Sequence, residues 1–341
     1  MINVGLIGIG KMGLSHLAIF KAHKDVNVVA VSDPSKLMQL GASKFLNIPS
    51  YSDYKEMIEK ESLDAVVIST PTKFHAEMVN DCLVNDIHVF CEKPFCLTPE
   101  EGEKLVALAN ERKLINQVGY HCRFVGAFMK VKEILTENTI GDPYYFKMEV
   151  YGNVVKKKKA KTWRSKKSEG GGCLYDYASH GIDSIVYLLG APSGVSGTVF
   201  KTINSIEIED AIYSTLNYES NLSGQLCVNW CEPSYRKMFN QITIIGDKGK
   251  VIADRQECKL FLNNEPENSN LKKGWNIFYT TDLTQPVDYY LRGEEYSAQV
   301  DHFVQSIIKN NPNDRSSFKT AQLTDQVVSM LINDANSKGA K

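Results

Sequence analysis

The sequence carries almost no net charge, because 39 lysines and arginines stand against 40 aspartates and glutamates and leave a formal charge of −1. A balanced chain has no overall field that draws it to nucleic acid or to an anionic membrane, and we expect neither as a partner. Long apolar runs are also missing. The stretch VGLIGIG follows no basic segment and is too short and glycine-rich for a signal peptide or a membrane span.

The chain has eight cysteines, but they form no CxxC pair and no Cys/His cluster with the spacing of a zinc site. A chain of 341 residues buries a sizeable core and does not need disulfides for stability. We therefore interpret the cysteines as reduced, mostly buried thiols, and we expect a cytoplasmic protein without a metal site.

The first 120 residues alternate between strand and helix signals. Short apolar runs that suit buried strands lie at 3–8, 26–33, 64–70, 87–93 and 115–119, and stretches of helical period separate them. Such alternation favours a parallel sheet that is covered on both faces. The sequence thus predicts an α/β fold whose N-terminal domain, residues 1–120, is a doubly wound Rossmann domain.

A glycine motif lies in the turn after the first predicted strand. Gly8, Gly10 and Gly13 form GIGKMG, a G-x-G-x-x-G turn that suits a dinucleotide pyrophosphate at the start of a helix. Asp33 follows Gly13 by 20 residues, at the end of the second strand, where an acid holds the ribose hydroxyls. A carboxylate there repels a 2′-phosphate and favours NAD over NADP, although Lys36 softens that repulsion. The alternative is a plain glycine turn.

Two other segments end strands at the same edge of the predicted sheet. They are STPTKFH at 69–75 and CEKPF at 91–95, and ligands of open α/β sheets bind at this edge. Lys93 lies in the second segment, just before a predicted capping box at 98–101. It is a candidate for the substrate site, and the alternative is an ordinary surface lysine.

The segment EGGGCLYDYASHGID at 169–183 places Asp176 and His180 four residues apart. In a helix predicted over 174–189, this spacing puts both side chains on one face. An imidazole with an ordinary pKa near 6.5 suits proton transfer at neutral pH, and a carboxylate beside it would orient the ring. Without further context, an exposed ion pair is the alternative. We interpret Gly170 to Gly172 as glycines that let the backbone approach a cofactor or substrate.

The second half has a different pattern. A helical stretch at 121–138 precedes alternating strands at 143–153, 211–218 and 222–230, and a hairpin spans 242–254. This favours a second domain, residues 121–341, of α+β type with a mostly antiparallel sheet. The amphipathic segments 294–310 and 320–335 are interpreted as packing helices.

A basic run lies between the predicted strands of this second domain. Residues 156–167 carry eight lysines and arginines and no acid. The run is either a solvated loop or a lid over an anionic substrate, such as the diphosphate of a nucleotide sugar.

Taken together, GIGKMG, the acid after the second strand, EKP at 92–94 and GGGCLYDYASHGID resemble the glucose–fructose oxidoreductase / inositol dehydrogenase / MocA (Gfo/Idh/MocA) family. The resemblance implies a Rossmann domain followed by a domain with a large open sheet, through which members form homodimers or homotetramers. It also implies Lys93 as the cation that positions substrate, His180 as general acid/base and Asp176 as its partner. Ala178 departs from the glycine that members commonly have there.

Further residues follow from the resemblance. His121 and Arg123 join Lys93, Asp176 and His180 as expected substrate-binding residues. Asp183 is either a partner of His180 or, as we prefer, an acid on the helix surface. The residues assigned to the cofactor site are Gly8, Gly10, Lys11, Met12, Gly13, Asp33, Thr70, Pro71, His75, Glu92, Lys93, Trp163 and Arg164.

The implied function is an NAD(P)-dependent oxidoreductase, with NAD preferred over NADP, that acts on a secondary alcohol of a sugar, cyclitol or nucleotide sugar. Two alternatives stay open. Some relatives cleave glycosides with a bound NAD that is regenerated, and one relative is a regulator that senses the cofactor without catalysis.

Overall fold

The computed structural model describes residues 1–156, 163–267, 270–312 and 314–337. The chain packs as two compact units, one of Met1–His121 with Pro286–Gln322 and one of Cys122–Gln285 with Leu323–Lys341. Residues 286–322 therefore lie with the N-terminal part, which the division into 1–120 and 121–341 does not anticipate. That one domain binds the cofactor and the other binds the substrate stays a prediction.

The described residues form fourteen strands and ten α-helices. The strands are β1 Ile2–Ile7, β2 Val26–Ser32, β3 Ser50–Tyr51, β4 Ala65–Ile68, β5 His88–Cys91, β6 Asn116–Val118, β7 Pro143–Tyr151, β8 Gly194–Lys201, β9 Ala211–Asn217, β10 Ser223–Asn229, β11 Phe239–Gly246, β12 Gly249–Ala253, β13 Glu257–Leu262 and β14 Gly274–Tyr279. The helices are α1 Lys11–Ala22, α2 Lys36–Gly41, α3 Tyr54–Lys60, α4 His75–Val84, α5 Pro99–Glu111, α6 Gly126–Thr136, α7 Ser179–Leu189, α8 Thr280–Leu283, α9 Glu294–Ile308 and α10 Phe318–Ser337. Within the described ranges, no helix is long and apolar enough to cross a membrane.

The first unit contains the predicted doubly wound parallel sheet. Its strand order is β3-β2-β1-β4-β5-β6, and all neighbours pair in parallel. The order reverses beside β1, which creates the crevice at the carboxyl ends of β1 and β4 where such sheets bind ligands. The capping box of α5 is also confirmed, since the Thr98 hydroxyl accepts a hydrogen bond from the Glu101 amide at 3.4 Å.

The helix α9 completes the core of the first unit. Its Phe303 meets Phe90 and Phe20 edge to face, with ring centroids 5.8 and 6.4 Å apart, and all three side chains are fully buried. Edge-to-face pairs of this kind add to the stability gained from burial. The prediction that the segment 294–310 forms a packing helix is thus correct.

The second unit is built on an eight-stranded sheet in the order β14-β13-β12-β11-β7-β10-β9-β8. Every neighbouring pair is antiparallel except β7 and β10. One face is buried, and α7 lies so close to it that a Cβ at Gly181 would be 2.7 Å from Val150. The mostly antiparallel sheet predicted for this half is confirmed.

Candidate functional site

The glycine turn after β1 has the geometry that a dinucleotide fold needs. Gly8 has a φ of +84°, and a Cβ there would lie 2.9 Å from the Thr70 side chain. A Cβ at Gly13 would overlap the carbonyl oxygen of Gly8, so only glycine lets α1 pack this closely. Around Gly10, by contrast, a Cβ would meet no atom within 4 Å. The turn is therefore tight on its inner side and open at Gly10, as a bound pyrophosphate requires.

Asp33 ties the end of β2 to this glycine turn. Its Oδ2 accepts a hydrogen bond from the Ile9 amide and its Oδ1 accepts one from the Ser35 amide, both at 2.9 Å. The carboxylate is thereby held in one orientation beside the turn. Lys11 and Met12 form the start of α1, where Lys11 is exposed and Met12 half-buried.

His75 connects two of the predicted cofactor segments. Its Nε2 lies 2.9 Å from the carbonyl oxygen of Thr70, and its Nδ1 lies 2.9 Å from that of Pro94. Burial lowers the pKa of His75, and this outweighs the two carbonyls, which favour the charged ring. Pro71 is the N-cap of the short 3₁₀ turn Thr72–Phe74, which leads from Thr70 to His75 along the chain.

Glu92 of EKP is held by a buried histidine from α1. Glu92 Oε1 lies 2.6 Å from His16 Nε2, and Glu92 Oε2 accepts a hydrogen bond from the Lys93 amide at 3.1 Å. Burial raises the pKa of Glu92, but the His16 hydrogen bond, its charge and the nearby Lys93 outweigh burial and bring the pKa below its ordinary value. The backbone that carries Lys93 is therefore fixed from the helix that follows the glycine turn.

His121 is part of an aromatic stack in the first unit. Its ring stacks on Tyr296 of α9 with centroids 4.7 Å apart, and the Arg292 guanidinium lies 5.4 Å from the Tyr296 centroid. Arg292 Nη1 also donates to the Ser15 hydroxyl at 3.4 Å. The substrate-binding role assigned to His121 stays a prediction.

In the second unit, the segment with Asp176 differs from the predicted regular helix. Leu174–Ala178 forms one π-helical turn, and α7 starts only at Ser179. Single π-helical turns frequently lie at functional sites. Asp176 Oδ2 accepts a hydrogen bond from Arg164 Nε at 2.9 Å, and His180 is 5% exposed. The catalytic roles of Asp176 and His180 stay predictions.

The glycine run before this turn has a partner that the sequence did not reveal. Gly172 has a φ of +106°, and a Cβ there would overlap Oε1 of Glu209. The same Oε1 accepts a hydrogen bond from the Leu174 amide at 2.8 Å. At Gly172 the glycine thus makes room for a carboxylate of this chain, whereas we expected room for a cofactor or substrate. No motif marks Glu209, which lies in the connection between β8 and β9.

The interpretation of Asp183 as a surface acid is wrong. Asp183 is fully buried, and Arg123 donates to both of its oxygens, from Nε to Oδ2 at 2.9 Å and from Nη2 to Oδ1 at 2.6 Å. The Thr324 hydroxyl donates to the same carboxylate at 3.3 Å. Arg123, which we assigned to the substrate site, thus contributes to a buried ion pair. Ala178 is also fully buried, within the core of this unit.

Half of the basic run, residues 157–162, lies outside the described residues. Lys157, Lys158, Lys159 and Lys161 belong to that part, and for Trp163 only the backbone is described, in the 3₁₀ turn Trp163–Ser165. The role of the run as a lid and the assignment of Trp163 to the cofactor site stay predictions.

Comparison with known families matches residues 2–120 to an oxidoreductase family with an NAD-binding Rossmann fold, and residues 128–252 to the GFO/IDH/MocA C-terminal domain. An uncharacterised oxidoreductase of Schizosaccharomyces pombe, C115.03, is 30% identical over 254 residues, which are 72% of this chain and 68% of that protein. A myo-inositol 2-dehydrogenase of Thermotoga maritima is 26% identical over 273 residues, 77% of this chain and 78% of that protein.

Among solved structures, levoglucosan dehydrogenase in complex with NADH superposes with a TM-score of 0.86. The match covers 98% of this chain and 97% of that chain at 20% identity. At that identity the likeness shows the fold.

Proposed function

The chain belongs to the Gfo/Idh/MocA oxidoreductase family and has its NAD-binding Rossmann domain, and from this premise we propose that it is a dehydrogenase for a secondary alcohol of a sugar, cyclitol or nucleotide sugar. The observation that carries the proposal is the presence in one chain of three motifs, the glycine turn, EKP and the Asp176/His180 segment. The myo-inositol 2-dehydrogenase among the relatives supports the substrate class.

The residues of the first unit fit a dinucleotide. The space at Gly10 and the amide groups at the start of α1 would receive the pyrophosphate, and the fixed Asp33 carboxylate would accept hydrogen bonds from the adenosine ribose. Since the same carboxylate would repel a 2′-phosphate, NAD is the proposed cofactor and NADP the less favoured one. When bound, NAD supplies the acceptor for the hydride.

The proposed proton chemistry uses three side chains. His180 takes the proton of the substrate hydroxyl, because an imidazole has a pKa matched to neutral pH. Asp176 stabilises the resulting imidazolium, and Arg164 holds the Asp176 carboxylate in place. The Lys93 ammonium binds the hydroxyl oxygen and stabilises the negative charge that develops on it. The buried Glu92 and His16 fix the backbone from which Lys93 extends.

A turnover assay tests the proposal. The purified protein is mixed with NAD and a panel of inositols, sugars and UDP-sugars, and the absorbance of reduced nicotinamide is followed. We expect turnover with at least one compound, and a loss of about 10²–10⁴-fold in kcat for His180→Asn, the range for a general acid/base. The matched control is His23→Asn, at the histidine that directly follows the last residue of α1.

Three results would point elsewhere. Tight NAD binding without turnover on any substrate contradicts the dehydrogenase. Release of a chromogenic leaving group without net reduction of NAD indicates glycoside cleavage in which NAD is regenerated. A His180→Asn variant with full function supports a cofactor-sensing regulator.

Two further properties belong to this proposal. All eight cysteines are free thiols, which suits a reducing cytoplasm. A homodimer or homotetramer is supported by apolar side chains on β14, where Trp275, Ile277 and Tyr279 are each about half exposed. Sedimentation equilibrium that gives a monomer would contradict the assembly.

A further inference from the structure

The connection between β8 and β9 contains a rigidly held acid, Asp210. Its Oδ2 accepts hydrogen bonds from the amides of Ile203, Asn204 and Ser205 at 2.6, 2.6 and 2.8 Å. Its Oδ1 accepts one from Trp230 Nε1 at 2.6 Å and one from the Ser205 hydroxyl at 2.6 Å. Asp210 is fully buried, and its backbone pairs with Lys201 and with Trp230. The chain at this point is therefore fixed to the sheet.

The preceding residue, Glu209, holds the segment that leads into the π-helical turn. Its carbonyl oxygen accepts a hydrogen bond from the Cys173 amide at 3.1 Å, and its carboxylate accepts one from the Leu174 amide at 2.8 Å. Amides in the first turn of a helix have no partner within the helix, and a carboxylate is among the best acceptors for them. Gly172 lets the carboxylate approach, since any side chain there would collide with it.

A π-helical turn directs its side chains differently from an α-helical turn. The hydrogen bond that fixes Leu174, the first residue of the turn, therefore affects the direction of the Asp176 side chain. Asp176 lies two residues after Leu174, and α7 with His180 continues directly from the turn. We propose that Glu209 is a positioning residue that clamps the start of this turn and thereby orients Asp176 and His180 for proton transfer. This inference rests on the proposed function.

The environment of Glu209 supports the clamp. Burial raises its pKa, and the Leu174 amide and the nearby Lys167 partly offset that rise. Both the ionised and the protonated carboxyl keep an oxygen that accepts the Leu174 hydrogen bond. A glutamine has the same length and also offers a carbonyl oxygen, so it should replace Glu209 well. Aspartate keeps the charge but is one methylene too short to keep this reach.

The experiment compares Glu209→Ala, Glu209→Asp and Glu209→Gln, with Glu207→Ala as the control at an exposed glutamate of the same connection. Hydrogen exchange of peptides that span residues 171–178 reports the clamp without any substrate. We expect exchange about five- to tenfold faster in the Ala and Asp variants, which corresponds to the loss of one cap. The Gln variant and the control should exchange like the wild type.

Kinetics report the positioning role. The Ala and Asp variants should lose about tenfold or more in kcat, with the Kd for NAD within about twofold of the wild type, because all residues assigned to the cofactor except Trp163 and Arg164 lie in the other unit. The Gln variant should recover most of kcat. If Glu209→Ala does not fold, Glu209→Asp carries the test.

The outcomes separate the two proposals. Unchanged exchange at 171–178 in the Ala and Asp variants overturns the clamp. Faster exchange with unchanged kcat overturns the positioning role, and so does an equal loss of kcat in the Gln and Ala variants. A wild type that turns over no substrate refutes the proposed function, whereas the exchange result still decides whether Glu209 holds the turn.

Discussion

Replacing His16 by phenylalanine would leave the Glu92 carboxylate buried without its main partner. His16 is fully buried and the Glu92 side chain is 10% exposed. A phenylalanine fills the same space, because the His16 ring already packs edge to face on Phe90 with centroids 5.1 Å apart. The variant thus removes the hydrogen bond and the charge partner and leaves little cavity. Removing one member of a buried pair costs about 3–5 kcal/mol while the other stays charged, a large part of a typical stability of about 5–15 kcal/mol.

The sign of the pH dependence follows from Glu92. In the wild type its pKa lies below the ordinary value of 4.5, so the pair contributes stability above pH 4.5 and loses it as the pH falls further. In the variant, burial remains and its main counterweight is gone, so the pKa of Glu92 rises above 4.5. The variant therefore loses stability as the pH rises above about 4.5, at up to ~1.4 kcal/mol per pH unit until Glu92 is ionised.

Urea unfolding of both proteins without cofactor at pH 5, 6, 7 and 8 measures this difference. We expect the gap in unfolding free energy between wild type and His16→Phe to widen from pH 5 to pH 8, to about 3 kcal/mol or more. Adding Glu92→Gln to the variant removes the buried charge and should abolish the pH-dependent part. A gap of equal size at all four pH values, or a double variant as pH-sensitive as the single one, would refute the reasoning.

Three other predictions concern the first unit. Gly13→Ala should lower the unfolding free energy by about 2–4 kcal/mol, because the added Cβ would overlap the carbonyl oxygen of Gly8. Gly10→Ala should keep the melting temperature of the wild type but bind NAD more weakly in calorimetry. An NAD affinity of Gly10→Ala equal to that of the wild type would contradict the pyrophosphate site. Asp33→Asn should shift the NADP-to-NAD affinity ratio about tenfold toward NADP, and an unchanged ratio would contradict the repulsion. Burial lowers the pKa of His302 to about 4, so the stability that its neutral form contributes is complete above pH 6.5 and is lost as the pH falls toward 4. His302→Gln should therefore reduce the fall in unfolding free energy between pH 7 and pH 5 by about 1 kcal/mol. A fall as large as that of the wild type would contradict this.

The strands of the first unit are predictable where burial on both faces leaves a continuous apolar run. The run AVVI of β4 is fully buried, and the sequence shows it directly. The strand β3 has only two residues and gives no such signal. In β14, GWNIFY, the exposed positions carry Trp275 and Ile277, so apolar residues do not mark the buried face. That strand, like β8 and β13, was missed.

The residues of the candidate site also differ in how clearly the sequence marks them. The motifs GxGxxG and EKP can be recognised in the sequence, because they restrict the backbone at strand ends, and the roles of their residues stay predictions. His16 and Glu209 act through contacts 76 and 35 residues away along the chain, and a single sequence does not show such pairs. The interpretation of Asp183 as a surface acid is wrong because α7 has no exposed face at this position. In α7 every residue from Ser179 to Val186 is buried, so a carboxylate there needs a partner such as Arg123.

The segment 286–322 makes the first unit discontinuous in sequence, and this restricts how the protein can be recombined. Its Phe303 and Val300 fill the space beside Phe20 and Phe90, so a fragment that stops at residue 121 would expose apolar surface and aggregate. A chimera that exchanges the second unit between relatives needs junctions near residues 121, 285 and 322. Moving the second unit from one relative to another therefore takes two separate stretches of chain and not a single C-terminal fusion.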